Sequence, residues 1–272
     1  MAIFQTSDIN IYYEVKGKKD SVHCIAFLNG VMASASSWAL LTPLFINMGW
    51  RVILHDFRGQ LNSDKPEGPY TFKDHVEDAK ALFEHLGVNK VHLVGTSYGG
   101  EVAMKFAIEY PEMVKSITVI DSVSELDTNL KDLVKTWKEL CDSGDGETFF
   151  WGMAPAIYSS KFLNDNHDLL AHRAQAIKDN PGEYLEGQKI LYDTFHDDVY
   201  MTDQLDRIKC PALIVCGEND TLKPPKFSKI IADNIAKSEY IIIPDCGHVV
   251  IFEKPKVLES ALVGFILKNE FP

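Results

Sequence analysis

Along this 272-residue chain, short solid runs of apolar side chains alternate with longer stretches in which apolar positions return every three or four residues. A solid run suits a strand buried on both faces, as in a parallel sheet. The three-to-four spacing gives a helix one apolar stripe to lay on that sheet. The runs predict strands over residues 9–15, 23–28, 51–56, 91–95, 116–121, 212–216 and 239–243. The intervening stretches predict helices over 37–48, 71–86, 98–109, 225–236 and 255–268. Thr71-Phe72-Lys73-Asp74 has the Thr-x-x-acid form of a capping box at the head of the second helix. Pro255 suits the first turn of the last helix, where a missing N–H costs nothing. Such alternation specifies an α/β fold, a mostly parallel sheet flanked by helices.

Residues 124–204 break this rhythm. No strong strand pattern occurs there, and helical stretches at 130–140 and 169–178 are set apart by Gly144-Asp145-Gly146 and Asn180-Pro181-Gly182. Large side chains crowd the region, among them Phe149, Phe150, Trp151, Met153, Tyr158, Phe162, Tyr184 and Phe195. The expected division is a core domain of residues 1–123 and 205–272 with a helical insertion at 124–204. That insertion reads either as a subdomain with its own small core or as a lid whose inner face lines a substrate pocket, and the two are compatible. The end of the chain, 268–272, reads as frayed.

Composition narrows the partners. With 27 basic and 39 acidic side chains the formal net charge is −12, which repels phosphate backbones and anionic lipid, so no nucleic-acid or membrane partner is expected. No run of 18 apolar residues occurs. The first residues, from Met1 to Asp8, show neither a basic segment nor an apolar one of the kind that opens a secretory signal, so a cytoplasmic protein is expected. The cysteines, Cys24, Cys141, Cys210, Cys216 and Cys246, are odd in number, irregularly spaced and free of any C-x-x-C pair. Neither a disulfide framework nor a metal site is indicated, and they read as small buried hydrophobes. Self-association is left open.

The chemistry enters at Gly95-Thr96-Ser97-Tyr98-Gly99, a G-x-S-x-G motif between the apolar run at 91–94 and a helix-like stretch. Strand, sharp turn and helix form the setting of a nucleophile elbow. The turn forces the serine into strained backbone geometry that flanking glycines accommodate, and the helix N-terminus favours developing negative charge. Serine needs a base to take its proton, and the base needs an orienting acid. Of nine histidines, His248 follows a strand and the turn Pro244-Asp245-Cys246-Gly247, at the carboxyl edge where open α/β sheets form sites. His23, His55 and His92 fall in or beside strands and read as packing or hydrogen-bonding residues. His75, His85, His167, His172 and His196 fall on helices or polar turns and read as solvated. Asp220 follows the strand at 212–216, and Asp121 follows the one at 116–121 and competes with it. The order Ser97, Asp220, His248 matches the order this architecture uses, so these three are the expected catalytic triad.

These motifs resemble those of the α/β-hydrolase superfamily, and the resemblance covers nearly the whole chain. It includes Asp56-Phe57-Arg58-Gly59 followed by Ser63-Asp64-Lys65-Pro66, Gly217-Glu218-Asn219-Asp220, and Cys246-Gly247-His248. The resemblance implies an eight-stranded sheet, a helical cap after the sixth strand, and acyl transfer without a cofactor. It also implies an oxyanion hole from two backbone N–H groups, those of Val31 and Tyr98. Two departures stand out. Leu28-Asn29-Gly30 replaces the usual His-Gly after the third strand; together with Trp38 nine residues on from Asn29, it is similar to the corresponding loop of enol-lactone hydrolases. Leu61 stands where the family usually has glycine.

A serine nucleophile, where haloalkane dehalogenases and epoxide hydrolases of this fold carry aspartate, points to acyl transfer. The expected function is hydrolysis of a small carboxylic ester or lactone, uncharged or weakly polar unless a local Lys or Arg overrides the overall charge. Carbon–carbon bond hydrolysis or peracid formation on the same triad is the alternative, and a non-catalytic small-ligand receptor on this fold is another.

Overall fold

A computed structural model describes residues 2–6 and 8–271; Met1, Ser7 and Pro272, three of the terminal residues read above, lie outside them. Eight strands form one sheet: β1 Ala2–Gln5, β2 Asn10–Gly17, β3 Cys24–Leu28, β4 Arg51–His55, β5 Val91–Thr96, β6 Val114–Ile120, β7 Ala212–Gly217 and β8 Ser238–Ile243. Their order is β1-β2-β4-β3-β5-β6-β7-β8. The pairs β1–β2 and β2–β4 are antiparallel, and all other neighbours are parallel. The chain is thus an eight-stranded α/β-hydrolase fold. β1 escaped the sequence reading because its four residues form a half-buried edge strand with no solid apolar run.

Period-two alternation sorts the central strands onto two layers. Ile25 and Phe27 of β3 face a cluster with Trp38, Phe45 and the last helix, Pro255–Glu270, whereas Ala26 and Leu28 face the opposite side. That opposite cluster continues without a break from the helix Tyr98–Glu109 into the insertion, through Leu130, Trp137, Phe149 and Leu191. Thr71 caps the helix Phe72–His85 as its spacing predicts: Asp74 N donates to its hydroxyl over 3.2 Å, and Thr71 N donates to the Asp74 carboxylate over 2.7 Å.

Three expectations are corrected. Residues 37–48 are not one helix but a 3₁₀ turn, Ala35–Trp38, and a short helix, Thr42–Asn47. Pro43 has no N–H with which to continue a helix already begun, so it starts a new one. The insertion holds more helix than its polarity pattern shows. Beside Thr128–Asp142 and His167–Asp179 it contains Gly146–Ile157, Ser160–Asp165 and Gly182–Asp198. Gly146–Ile157 has apolar residues on most sides and a proline inside, so no stripe marks it. Residues 268–270 are not frayed, because the final helix runs to Glu270, whose carboxylate binds Lys115, His23 and His92. No helix among the described residues is long and apolar enough to cross a membrane.

Candidate active site

β5 ends in the turn that carries Ser97, and this residue takes φ +52° with ψ −121°. A non-glycine residue there is strained by roughly 1–3 kcal/mol. The surroundings hold it: Ser97 N donates to Ile120 O over 2.7 Å, and Ser122 Oγ donates to Ser97 O over 2.9 Å. Gly99 is required by close approach, since a Cβ there would lie 2.1 Å from Leu28 O. The helix is thereby pressed against β3 with its first turn beneath the serine, and Ser97 itself stays half-buried and reachable.

His248 and Asp220 arrive from the adjoining strand ends. His248 Nε2 lies 3.0 Å from Ser97 Oγ, and His248 Nδ1 lies 2.8 Å from Asp220 Oδ2. The second Asp220 oxygen accepts Leu222 N and Lys223 N at 2.9 and 2.8 Å. With Asp220 accepting, the His248 proton sits on Nδ1 and a bare Nε2 faces the serine hydroxyl. The structure therefore brings all three expected residues into one hydrogen-bonded chain. Their loops interlock, because a Cβ on Gly217 would meet Gly247 O at 2.1 Å.

Asp121, the competing acid, stands behind this chain. It is fully buried, and its oxygens accept Gly217 N at 2.9 Å and Val250 N at 3.3 Å. Burial, reinforced by the neighbouring Asp220 charge, pushes its pKa well above the ordinary carboxylate range. Asp121, Cys216 and Asp220 bring three ligand-type atoms within 4.8 Å of one another, the only such group among the described residues. Their chemistry does not suit a metal. Both carboxylates are occupied by N–H donors, and burial pushes the Cys216 thiol up, away from the thiolate a metal needs. The cysteines are all free, and Cys24, Cys141, Cys216 and Cys246 are buried.

Val31 and Tyr98, the expected oxyanion donors, flank the serine. Val31 lines the same cavity as Ser97, and neither N–H has an acceptor among the described residues. Asn29 holds the Val31 loop: its Oδ1 accepts Trp38 Nε1 at 2.9 Å, and its Nδ2 donates to His55 O at 2.9 Å. The pairing of Asn29 with a tryptophan nine residues on is thus a direct contact. Gln60 completes the brace by donating to Gly30 O over 2.8 Å while accepting Phe57 N at 3.0 Å. Leu61, where glycine is usual, is exposed at its side chain and lies on the cavity rim.

The cavity has a volume of about 590 Å³, within the range of small-molecule sites. Ser97, His248 and Val31 lie on one wall, and Val134, Phe150, Met153 and Phe195 of the insertion lie on the other. The insertion is also bolted to the histidine loop. His248 N donates to Ile157 O over 2.9 Å, while Glu253 accepts Ser159 N on one oxygen and Gly247 N on the other, at 2.8 and 3.1 Å.

The sequence reading missed a buried ion pair. Lys223 Nζ sits 2.8 Å from Glu101 Oε1, which also accepts Val123 N at 2.9 Å. Both side chains are buried, and burial holds the Glu101 pKa above its usual value against the pull of Lys223. Its signal was available, for Glu101 is the lone acid in the first turn of a helix otherwise built of small and apolar residues there. His75 is a further correction: it is buried rather than solvated, its Nε2 is 2.7 Å from the Tyr98 hydroxyl, and burial drives its pKa well down. His55 is likewise buried, its pKa pushed down to about 4, and it serves packing.

Comparison with known proteins agrees with the fold. A family model described as the alpha/beta hydrolase fold matches residues 24–255. An alpha/beta hydrolase enzyme, MGS-M2, from a Medee basin deep-sea metagenome library is 31% identical, with a TM-score of 0.92 over 97% of this chain and 96% of that one. Est816, described as an N-acyl homoserine lactone degrading enzyme, is 26% identical with a TM-score of 0.81, over 97% of this chain and 100% of that one. The proline iminopeptidase of Lactobacillus helveticus is 28% identical over 265 residues, 89% of each chain.

Proposed function

Because the chain belongs to the alpha/beta hydrolase fold family, we propose that it is a serine hydrolase cleaving small carboxylic esters or lactones through an acyl-enzyme on Ser97. The observation that carries this reading is the chain from Ser97 Oγ through His248 to Asp220, at 3.0 and 2.8 Å, on the wall of an apolar cavity. Ser97 Oγ attacks the carbonyl carbon as His248 Nε2 takes its proton, and Asp220 stabilises the resulting imidazolium. The Val31 and Tyr98 N–H groups receive the oxyanion, each worth about 3–4 kcal/mol of barrier. The tetrahedral intermediate collapses, the leaving alkoxide takes the proton from His248, and the acyl group stays on Ser97. Water then attacks the acyl carbon, with His248 again as base, and frees the carboxylic acid and Ser97.

The helical insertion, residues 124–204, serves in this reading as a cap over the sheet edge, and its aromatic side chains limit the length of the acyl group. A lactone-degrading relative is consistent with the chosen bond class. A peptide amino terminus suits the cavity poorly, because no carboxylate lines it among the described residues. The test is turnover of short esters and medium-ring lactones by purified protein, together with labelling by a fluorophosphonate. Hydrolysis that disappears in Ser97→Ala along with the label is the expected result. A labelled serine without turnover of any ester or lactone would remove the reading.

A further inference from the structure

The cavity walls are mostly apolar, yet two side chains on them carry positive charge, Arg173 and Lys223, and no carboxylate does so among the described residues. Lys223 is accounted for: Glu101 pairs with it at 2.8 Å, and its ammonium lies 4.3 Å from the centre of the Phe195 ring. Arg173 has no such partner. Its Nη1 donates to the neutral Tyr158 hydroxyl over 3.2 Å, and its guanidinium carbon lies 4.6 Å from the centre of the Phe252 ring. No carboxylate of the described residues comes within 4 Å of it. The neighbouring acid, Glu253, has both oxygens on the backbone N–H groups of Ser159 and Gly247. A guanidinium presents five N–H donors in a planar fork, and stacking over a ring leaves its edges free for a carboxylate.

Trp137 is buried, and its indole N–H has no acceptor among the described residues. Buried donors ordinarily find partners. A positive group unmatched by the protein, inside an apolar cavity of a chain with net charge −12, marks a place apart from the Val31 and Tyr98 N–H groups where that cavity favours an anion over the surrounding field.

We propose that the cavity takes an ester or lactone bearing a carboxylate remote from the scissile bond, and that Arg173 receives that carboxylate. The inference rests on the hydrolytic reading above and names the substrate class of the same site. It replaces the expectation of an uncharged substrate, since a local arginine now outweighs the overall charge. A neutral ester would contact the same walls and gain nothing from Arg173. A cationic one would meet like charge with no acid to offset it. The carboxylate, by contrast, exchanges water for a charge-assisted, two-pronged contact.

The experiment compares monomethyl adipate with methyl heptanoate, which match in length and differ in the terminal carboxylate. The native protein is expected to favour the monoester at least about tenfold in kcat/KM, with that preference falling as salt is added. Arg173→Met should lower the ratio of the two at least about tenfold, chiefly through KM for the monoester. Arg173→Lys should restore part of it, keeping charge without the fork. Protection of Ser97 from a fluorophosphonate by adipate gives a readout without turnover, and Arg173→Met should abolish it. A native preference for the neutral ester would overturn the inference. So would an unchanged ratio, or equal loss of both substrates in the arginine variants; the last result would assign Arg173 to bracing the insertion. In each of these cases hydrolysis by Ser97 stands. If Ser97 is neither labelled nor needed for hydrolysis, the hydrolytic reading itself falls and takes this one with it.

Discussion

Two histidines sit at opposite ends of one sheet in similar company. At the carboxyl edge His248 lies between Ser97 and Asp220. At the amino edge His92 has Ser116 Oγ 2.7 Å from Nδ1 and a Glu270 oxygen 3.0 Å from Nε2. Both are serine–histidine–carboxylate chains, and β5 contributes to each, with His92 near its start and Ser97 just past its end. Ser116, however, sits buried in strand β6, paired with His92 just past a shift in register, and is not on the cavity wall. Ser97 is strained, reachable and next to two unoccupied N–H donors. The carboxylates differ as well. Burial opposes the Glu270 charge, but its bonds with Lys115, His23 and His92 prevail and hold the pKa down to about 2. Burial keeps His92 below its usual pKa. Three residue types within hydrogen-bond reach therefore do not make a catalytic site. Access to the serine and unoccupied N–H groups beside it separate the two ends.

Experiments can break this contrast, and the largest effect belongs to the serines. Ser97→Ala should fold and lose roughly 10⁶-fold in kcat, whereas Ser116→Ala should leave kcat for ester hydrolysis close to native. Comparable losses in the two variants would erase the distinction. Asp220→Asn should cost about 10⁴-fold in kcat by disturbing the imidazole tautomer. Asp121→Asn should instead show mainly in thermal unfolding, at about 1–3 kcal/mol for two weakened bonds to buried N–H groups. A reversed order would move the acid to the end of β6. Lys223→Met should lower stability by about 3–5 kcal/mol in denaturant unfolding, since it leaves Glu101 buried without its counter-charge. Double replacement with Glu101→Gln should recover much of that loss.

The smallest effect sharpens the amino edge. The folded-state pKa of Glu270 is depressed, so its contribution to stability is fully present above about 4.5 and is lost as pH falls towards about 2. Glu270→Gln should flatten this acid limb in unfolding experiments and leave the pH dependence of turnover unaltered. A changed turnover profile would mean that the two edges communicate.

The sheet and its carboxyl-edge loops were legible because each central strand is a solid apolar run and each loop begins with a recognisable turn. Ser97 follows such a run directly, and Asp220 and His248 follow theirs within a few residues. What stayed hidden lacks a local signature. β1 is too short and half-exposed, and Gly146–Ile157 has no polar face. The pairing of Glu101 with Lys223 spans 122 positions, and only the folded chain shows that a first-turn acid and a loop lysine meet. Arg173 was invisible for the same reason, being one charge on an ordinary amphipathic helix. His75 looked solvated because its helix is amphipathic, but it lies on the stripe that faces the Tyr98 ring.

The bolts between the insertion and the histidine loop have a mechanical consequence. His248 N is held by Ile157 O, and Glu253 grips the chain at Ser159 and Gly247 together. Swinging residues 157–159 outward would drag His248 away from Ser97 or first snap two hydrogen bonds, those at Ile157 O and Ser159 N. A door hinged on that side could not open without pulling His248 from Ser97, whereas among the described residues no hydrogen bond ties Leu61 or Asn180, which also line the cavity, to the histidine loop.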